Sequence, residues 1–176
     1  MIETTAGADR AYSLAQDMIT KYGRVSADEL AAILDITILY ANYDKLKGVY
    51  FVADGRRYIS LKNDLPTELH NIVVFHEIGH DLMHGDLLAE GHLFREVNLL
   101  CANNDRLEHE ANLFAAEMML ADEDILEYIY QGYNVSQVAS AMSTDENLVA
   151  LKVSELNRRG FSFREQNYND VFLKDD

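Results

Sequence analysis

His76-Glu77-Ile78-Gly79-His80 places two imidazoles four residues apart, with a carboxylate directly after the first. On an α-helix, residues so spaced share a face with β-carbons about 5–6 Å apart, so both rings can reach one cation. Imidazole nitrogens suit zinc, at bonds of about 2.0–2.1 Å. Glu77, rotated by about 100° from His76, falls beside the cation rather than on it. From there it can take a proton from an attacking water and return it to the leaving amine of a cut peptide bond. Gly79 allows a close approach by whatever crosses the helix at that point. The apolar segment Asn71 to Phe75 leads straight into the motif, so the helix is expected to be buried, and two histidines on a buried helix need partners.

A zinc peptidase site needs a third protein ligand. The metzincin arrangement would put a glycine where Met83 stands and a histidine where Asp86 stands, so the ligand should come from another helix. The best candidate is Glu108, in Glu108-His109-Glu110-Ala111-Asn112-Leu113-Phe114-Ala115-Ala116. Ala111, Ala115 and Ala116 give a small-residue face on which two helices can pack closely. On that face Glu108 points to the cation, and Asn112, one turn later, can hydrogen-bond the far nitrogen of a ligand histidine. Glu110 is the competitor. It lies about 200° around the helix from Glu108 and is better suited to a solvated surface position.

With these two motifs the chain resembles the ImmA/IrrE family of gluzincin metallopeptidases: His-Glu-Ile-Gly-His, then an insert, then Glu-x-x-Ala-Asn-x-Phe-Ala. The resemblance runs from the N-terminal helix through Leu120. It implies a gluzincin-like core, a zinc ion held by His76, His80 and Glu108, and Glu77 as general base; the sequence itself leaves manganese open as the metal. It further implies that the substrate is a helix-turn-helix transcriptional repressor. Members usually continue the second motif with an apolar pair and a proline, whereas this chain reads Met118-Met119-Leu120-Ala121, which puts only the helix end in question. A non-catalytic, zinc-stabilised regulator that acts by contact is the alternative, although a purely structural site has no use for a base such as Glu77.

Weaker signals surround these. His84 lies one turn further along the face of His76 and His80, where it can line a substrate groove, help stabilise an oxyanion, or simply pack against backbone. His92 reads as a loop residue, His70 and His109 as surface residues, and Cys101 as a small buried hydrophobe. The strand that carries Tyr58 should present an exposed edge to which a peptide could add as a further strand. Val135 to Gly160 has helix-turn-helix spacing, but its charges balance, so it reads as a helical packing or protein-contact unit rather than a DNA-binding one.

The elements that must position these residues follow from periodicity. Tyr12, Leu14, Ala15, Met18 and Ile19 mark an amphipathic helix from Asp9 to Tyr22, ended by Gly23. Ser26 and Glu29 form a capping box for a second helix. Three β-type runs follow, over 36–40, 48–53 and 57–61, with Asp54-Gly55 as a hairpin turn. Pro66 suits the first turn of the long motif helix, which should run to His84 and stop at Gly85. Residues 86–104 read as irregular, with a weak helical pattern from Leu93 to Leu99. A strong helix should then run from Asp105 to Leu120, and two or three short ones from Asp122 to Gly160. Helices, then strands, then helices make an α+β fold. The expected division is a metallopeptidase core of residues 1–131 and a C-terminal helical extension of residues 132–176 packed on or near it.

Bulk properties narrow the function further. With one cysteine in 176 residues, no internal disulfide and no cysteine-rich metal site can form, which fits a reducing compartment. Met1 to Gly7 lacks a basic start followed by an apolar run, and no run approaches the about 18 apolar residues of a membrane span. A cytoplasmic location is therefore expected. A net charge of −15 argues against direct binding of nucleic acid, whose phosphates need a basic face.

Overall fold

The computed structural model describes residues 2–89 and 105–164. The expectations for His92, for Cys101, for the pattern from Leu93 to Leu99 and for the chain after residue 164 lie outside them.

Helix α1, Ile2–Tyr22, ends where Gly23 takes φ 78° and donates its N–H to Ile19 O. It begins earlier than the apolar periodicity indicated. Its inward stripe, Ala8, Ala11 and Ala15, is small and almost fully buried, so a partner helix can lie close against it. Helix α2, Ala27–Ile33, carries the full capping box: Glu29 N–H donates to Ser26 Oγ, and Ser26 N–H donates to Glu29 Oε2 at 2.8 Å.

Strands β1 (Ile36–Ala41), β2 (Gly48–Ala53) and β3 (Arg56–Lys62) form one mixed sheet of order β1–β3–β2. β1 runs parallel to β3 and β2 antiparallel to it, with Tyr50 opposite Ile59. Asp54 and Gly55 both have positive φ, 51° and 72°, the type I′ turn that matches the twist of a two-residue hairpin. The order corrects one expectation. Tyr58 sits on β3, the central strand, whose two edges are both paired; among the described residues the free edges belong to β1 and β2. Sequence order suggested the last strand because it directly precedes the motif helix, but a parallel return to β1 places that strand in the middle.

Helix α3, Thr67–Ala89, carries the motif. Gly85 does not stop it; the helix continues over 86–89, because an isolated glycine costs only about 1 kcal/mol in a helix held by tertiary packing. α3 is gripped from two sides. A β-carbon at Gly48 would stand 2.3 Å from Val73 Cγ1, so β2 approaches one side only because that residue is glycine. On the other side crosses α4, Asp105–Met119.

Helices α5 (Asp122–Tyr130), α6 (Val135–Ala141) and α7 (Glu146–Arg158) complete an α+β fold with seven helices among the described residues. α6 is capped reciprocally by Asn134 and Gln137, and α7 by Asp145. In α7 every residue from Leu148 to Val153 is buried, and Leu148, Val149, Leu151 and Leu156 join the core cluster that contains Ile72, Phe75, Ile78 and Phe114. The core thus sits between the sheet and the helices, with α3 and α4 at its centre.

One core feature was invisible in the sequence. Lys152 is wholly buried, and its Nζ lies 2.7 Å from both Glu117 Oε2 and Asp122 Oδ1. Arg159 pairs with Asp122 at 2.8 Å, and Arg24 donates to the carbonyls of Glu117 and Met118 at the end of α4. This cluster ties α7 to the C-terminal end of α4.

Candidate metal centre

α3 and α4 cross at Gly79. A β-carbon there would stand 3.2 Å from Ala111 Cα and 3.3 Å from Phe114 Cβ, so the two backbones approach as closely as they do because one residue is glycine and the other alanine. That approach brings Glu108 of α4 against the two histidines of α3. His76 Nε2 and His80 Nε2 are 3.0 Å apart, and each lies 3.5 Å from an oxygen of Glu108, Oε2 and Oε1 respectively. With one ligand atom from each residue, all within 4.8 Å of one another, these three buried side chains form the group able to hold a metal ion among the described residues. A tetrahedral zinc with bonds of about 2.0–2.1 Å sets its ligand atoms about 3.3–3.4 Å apart. The observed spacings bracket that value, and two imidazoles with one carboxylate leave a fourth position open. The residues present fit a divalent cation.

Around this group the structure places the other residues singled out from sequence. Asn112, one turn after Glu108 and 1% exposed, accepts from His76 Nδ1 at 2.8 Å. Glu77 lies on the sheet side of α3, where Tyr50 N–H of β2 donates to its Oε2 at 2.8 Å. Burial, joined by the charge of Glu108, raises the pKa of Glu77 to about 7, against the opposing pull of His76 and of the Tyr50 N–H. A cation among the ligands would lower it again. Burial pulls the pKa of His76 down, but the adjacent Glu108 carboxylate outweighs it and leaves a net rise.

His84 is 5% exposed. Its Nδ1 faces His80 Nδ1 at 3.0 Å and its Nε2 faces Glu110 Oε2 at 3.1 Å. Among the described residues it bonds to side chains, not to backbone. Burial holds its pKa below the ordinary imidazole value, with Glu110 offsetting only part of that. Glu110 itself corrects an expectation: it is 4% exposed rather than solvated. Helix α1 covers the side of α4 opposite Glu108, where a helical wheel of α4 alone shows only solvent. His70 is half-buried against Asp28 at 2.8 Å, and His109 is half-buried.

Sequence reasoning missed the group that backs Glu77. The Tyr50 hydroxyl donates to Asp81 Oδ1 at 2.6 Å, and Arg57 donates to Asp81 Oδ2 at 2.8 Å and to the Leu34 carbonyl. Asp81 lies one turn after Glu77, so Tyr50 grips both carboxylates of that α3 face, one through its backbone and one through its phenol. Asp81 follows the motif directly, and that position was the available signal.

The helix crossing makes a testable expectation. Gly79→Ala should force α4 outward by a few tenths of an ångström and lower stability by about 1–3 kcal/mol, the usual overpacking cost. It should also weaken metal binding, since Glu108 moves with α4. Denaturant unfolding and chelator competition check this; an unchanged midpoint and affinity would show that the helices have room to spare.

The family model for the IrrE N-terminal-like peptidase domain matches residues 31–154, a span that contains both motif helices. Metallopeptidase ImmA of Bacillus subtilis is 29% identical over 146 residues, covering 80% of this chain and 82% of that protein. A protein of Bacillus phage phi105, named uncharacterized immunity region protein 2, is 29% identical over 143 residues, covering 80% and 88%.

Proposed function

The chain belongs to the peptidase family defined by the IrrE N-terminal-like domain, and from that premise we propose that it is a zinc-dependent endopeptidase that cleaves a helix-turn-helix transcriptional repressor. The observation that carries the reading is the meeting of His76, His80 and Glu108 beside a buried Glu77.

His76, His80 and Glu108 would hold the cation, zinc being favoured over manganese by the nitrogen-rich ligand set. When bound, it supplies Lewis acidity, polarising a scissile carbonyl and making water a better nucleophile near neutral pH. The chain's own residues do the rest. Glu77 accepts the proton of the attacking water and passes it to the departing amine. Tyr50 N–H fixes one oxygen of that carboxylate, leaving Oε1 for the proton. Asn112 holds His76 with its Nε2 lone pair turned inward.

The substrate would lie along β2. Val49, Phe51 and Ala53 direct their backbone groups to β3 in the antiparallel register, so those of Gly48 and Val52 point to the other edge, together with the Tyr50 carbonyl, while the Tyr50 N–H is taken by Glu77. An extended peptide can pair there as an added strand beside Glu77. The repressor as substrate rests on the family resemblance, and the immunity-region name of the phage relative supports it. No helix among the described residues is long and apolar enough to cross a membrane, which accords with an intracellular protein target. The division into a core of residues 1–131 and an extension from 132 belongs to the same proposal, with α6 and α7 as a packing or protein-contact unit.

The test is cleavage of a candidate repressor by purified protein of measured metal content. Chelation should stop the cut and zinc should restore it, while Glu108→Ala should lose both the metal and the cut. A specific cut that survives complete removal of metal would overturn the reading.

A further inference from the structure

The two ligand histidines are backed differently. His76 leans on one neutral amide, Asn112. His80 leans on a second imidazole, which leans in turn on a buried carboxylate. We infer that His84 and Glu110 are positioning residues that fix the hydrogen of His80 on Nδ1 and so hold its Nε2 lone pair on the cation. The inference rests on the metal-centre reading and deepens it.

The assignment follows from a chain of donor and acceptor requirements. A ring nitrogen that binds a cation offers its lone pair, so the other nitrogen carries the hydrogen. His80 Nε2 is the atom that faces His76 Nε2 and Glu108, so His80 Nδ1 must donate. Its partner at 3.0 Å is His84 Nδ1, which must therefore accept and be bare. The hydrogen of a neutral His84 then sits on Nε2, where it donates to Glu110 Oε2 at 3.1 Å. Along these contacts each donor meets an acceptor, from a carboxylate at one end to the metal-facing lone pair at the other.

Two further contacts hold Glu110 at the head of this chain. Arg106 Nε lies 3.3 Å from its Oε1. Gly7 of α1 also makes room for it, because a β-carbon there would stand 2.1 Å from Glu110 Oε1. The N-terminal helix thus reaches the ligand set through Glu110 and His84. Partners of this kind, placed behind metal ligands, typically change affinity 10–100-fold when removed.

The test separates proton placement from space filling. His84→Leu fills a similar volume with neither donor nor acceptor. His84→Gln supplies both, an amide oxygen to accept from His80 and an amide N–H to donate to Glu110. Zinc affinity is measured by chelator competition, the cobalt-substituted protein by its visible spectrum, and the metal-free forms by denaturant unfolding. His84→Leu should bind zinc about 10–100-fold more weakly and shift the cobalt spectrum, at a metal-free stability comparable to that of His84→Gln, which should recover most of the affinity. Parent-like affinity in His84→Leu would overturn the inference, and so would equal weakness of the two variants, which is what lost packing produces. A parent that binds no zinc overturns it together with the metal centre. A parent that binds zinc but cuts no protein overturns only the peptidase reading, and the variant affinities still decide this one.

Discussion

Replacing Glu77 by glutamine is expected to abolish cleavage while leaving the metal in place. The side chains have the same shape, and a glutamine oxygen can accept from Tyr50 N–H as the Glu77 carboxylate does at 2.8 Å. Neither the helix crossing nor the three ligands should move. What disappears is the ability to take up a proton, and a positioned general base contributes about 10²–10⁴-fold to such reactions. The variant should also melt no lower than the parent, since a carboxylate 8% exposed beside a second buried carboxylate gives way to a neutral group. Cleavage rate, metal content and thermal unfolding measured on one preparation check all three. A rate within a few-fold of the parent would remove Glu77 as the base, and full biological action without cleavage would favour a regulator that works by contact.

The second large effect is on stability. Lys152→Met should destabilise the fold by about 3–5 kcal/mol, the range for removing one partner of a buried ion pair. The lysine has no exposed surface, and Glu117 beside it is 1% exposed. Burial already raises the pKa of Glu117 against the pull of Lys152 and Arg159, so loss of the lysine leaves that carboxylate with too little compensation. Arg159, 3.4 Å from Glu117 Oε1, can soften the loss but is also engaged with Asp122. Lys152→Met combined with Glu117→Met should recover most of it, because well-packed apolar replacements for a buried pair are often neutral. Denaturant unfolding of the single and double variants checks this; a single variant losing under about 1 kcal/mol would show that the cluster contributes little.

What could be read from the sequence depended on how locally each feature is encoded. His76, His80 and Glu77 follow from helical spacing alone, and Glu108 with Asn112 from the same rule on a second helix. The Ser26–Glu29 capping box and the Asp54-Gly55 turn are short-range features, and the structure has both. Strand order is not local. Whether β3 lies at an edge depends on where β1 pairs, and no residue within β3 announces it. Glu110 was misplaced for a related reason: its surroundings are set by α1, about a hundred residues away, and the informative residue is Gly7. Lys152 lies in the apolar run Leu148 to Val153, where a buried lysine and a snorkelling one look alike. The fold class and the motif helices were therefore legible, whereas the neighbours that support them from distant parts of the chain were not.

Tyr50 places a limit on what evolution can do to this hairpin. Side chains alternate along a strand, so a slip of one residue between β2 and β3 would turn the phenol away from Asp81 and exchange the N–H that meets Glu77 for one directed at β3. The two-residue turn at Asp54-Gly55 sets that pairing. Loop lengths usually drift freely among homologues, but a length change here that slips the register by one residue would break both Tyr50 contacts while leaving every metal ligand intact. The exposed hairpin tip should therefore tolerate only those length changes that preserve this register.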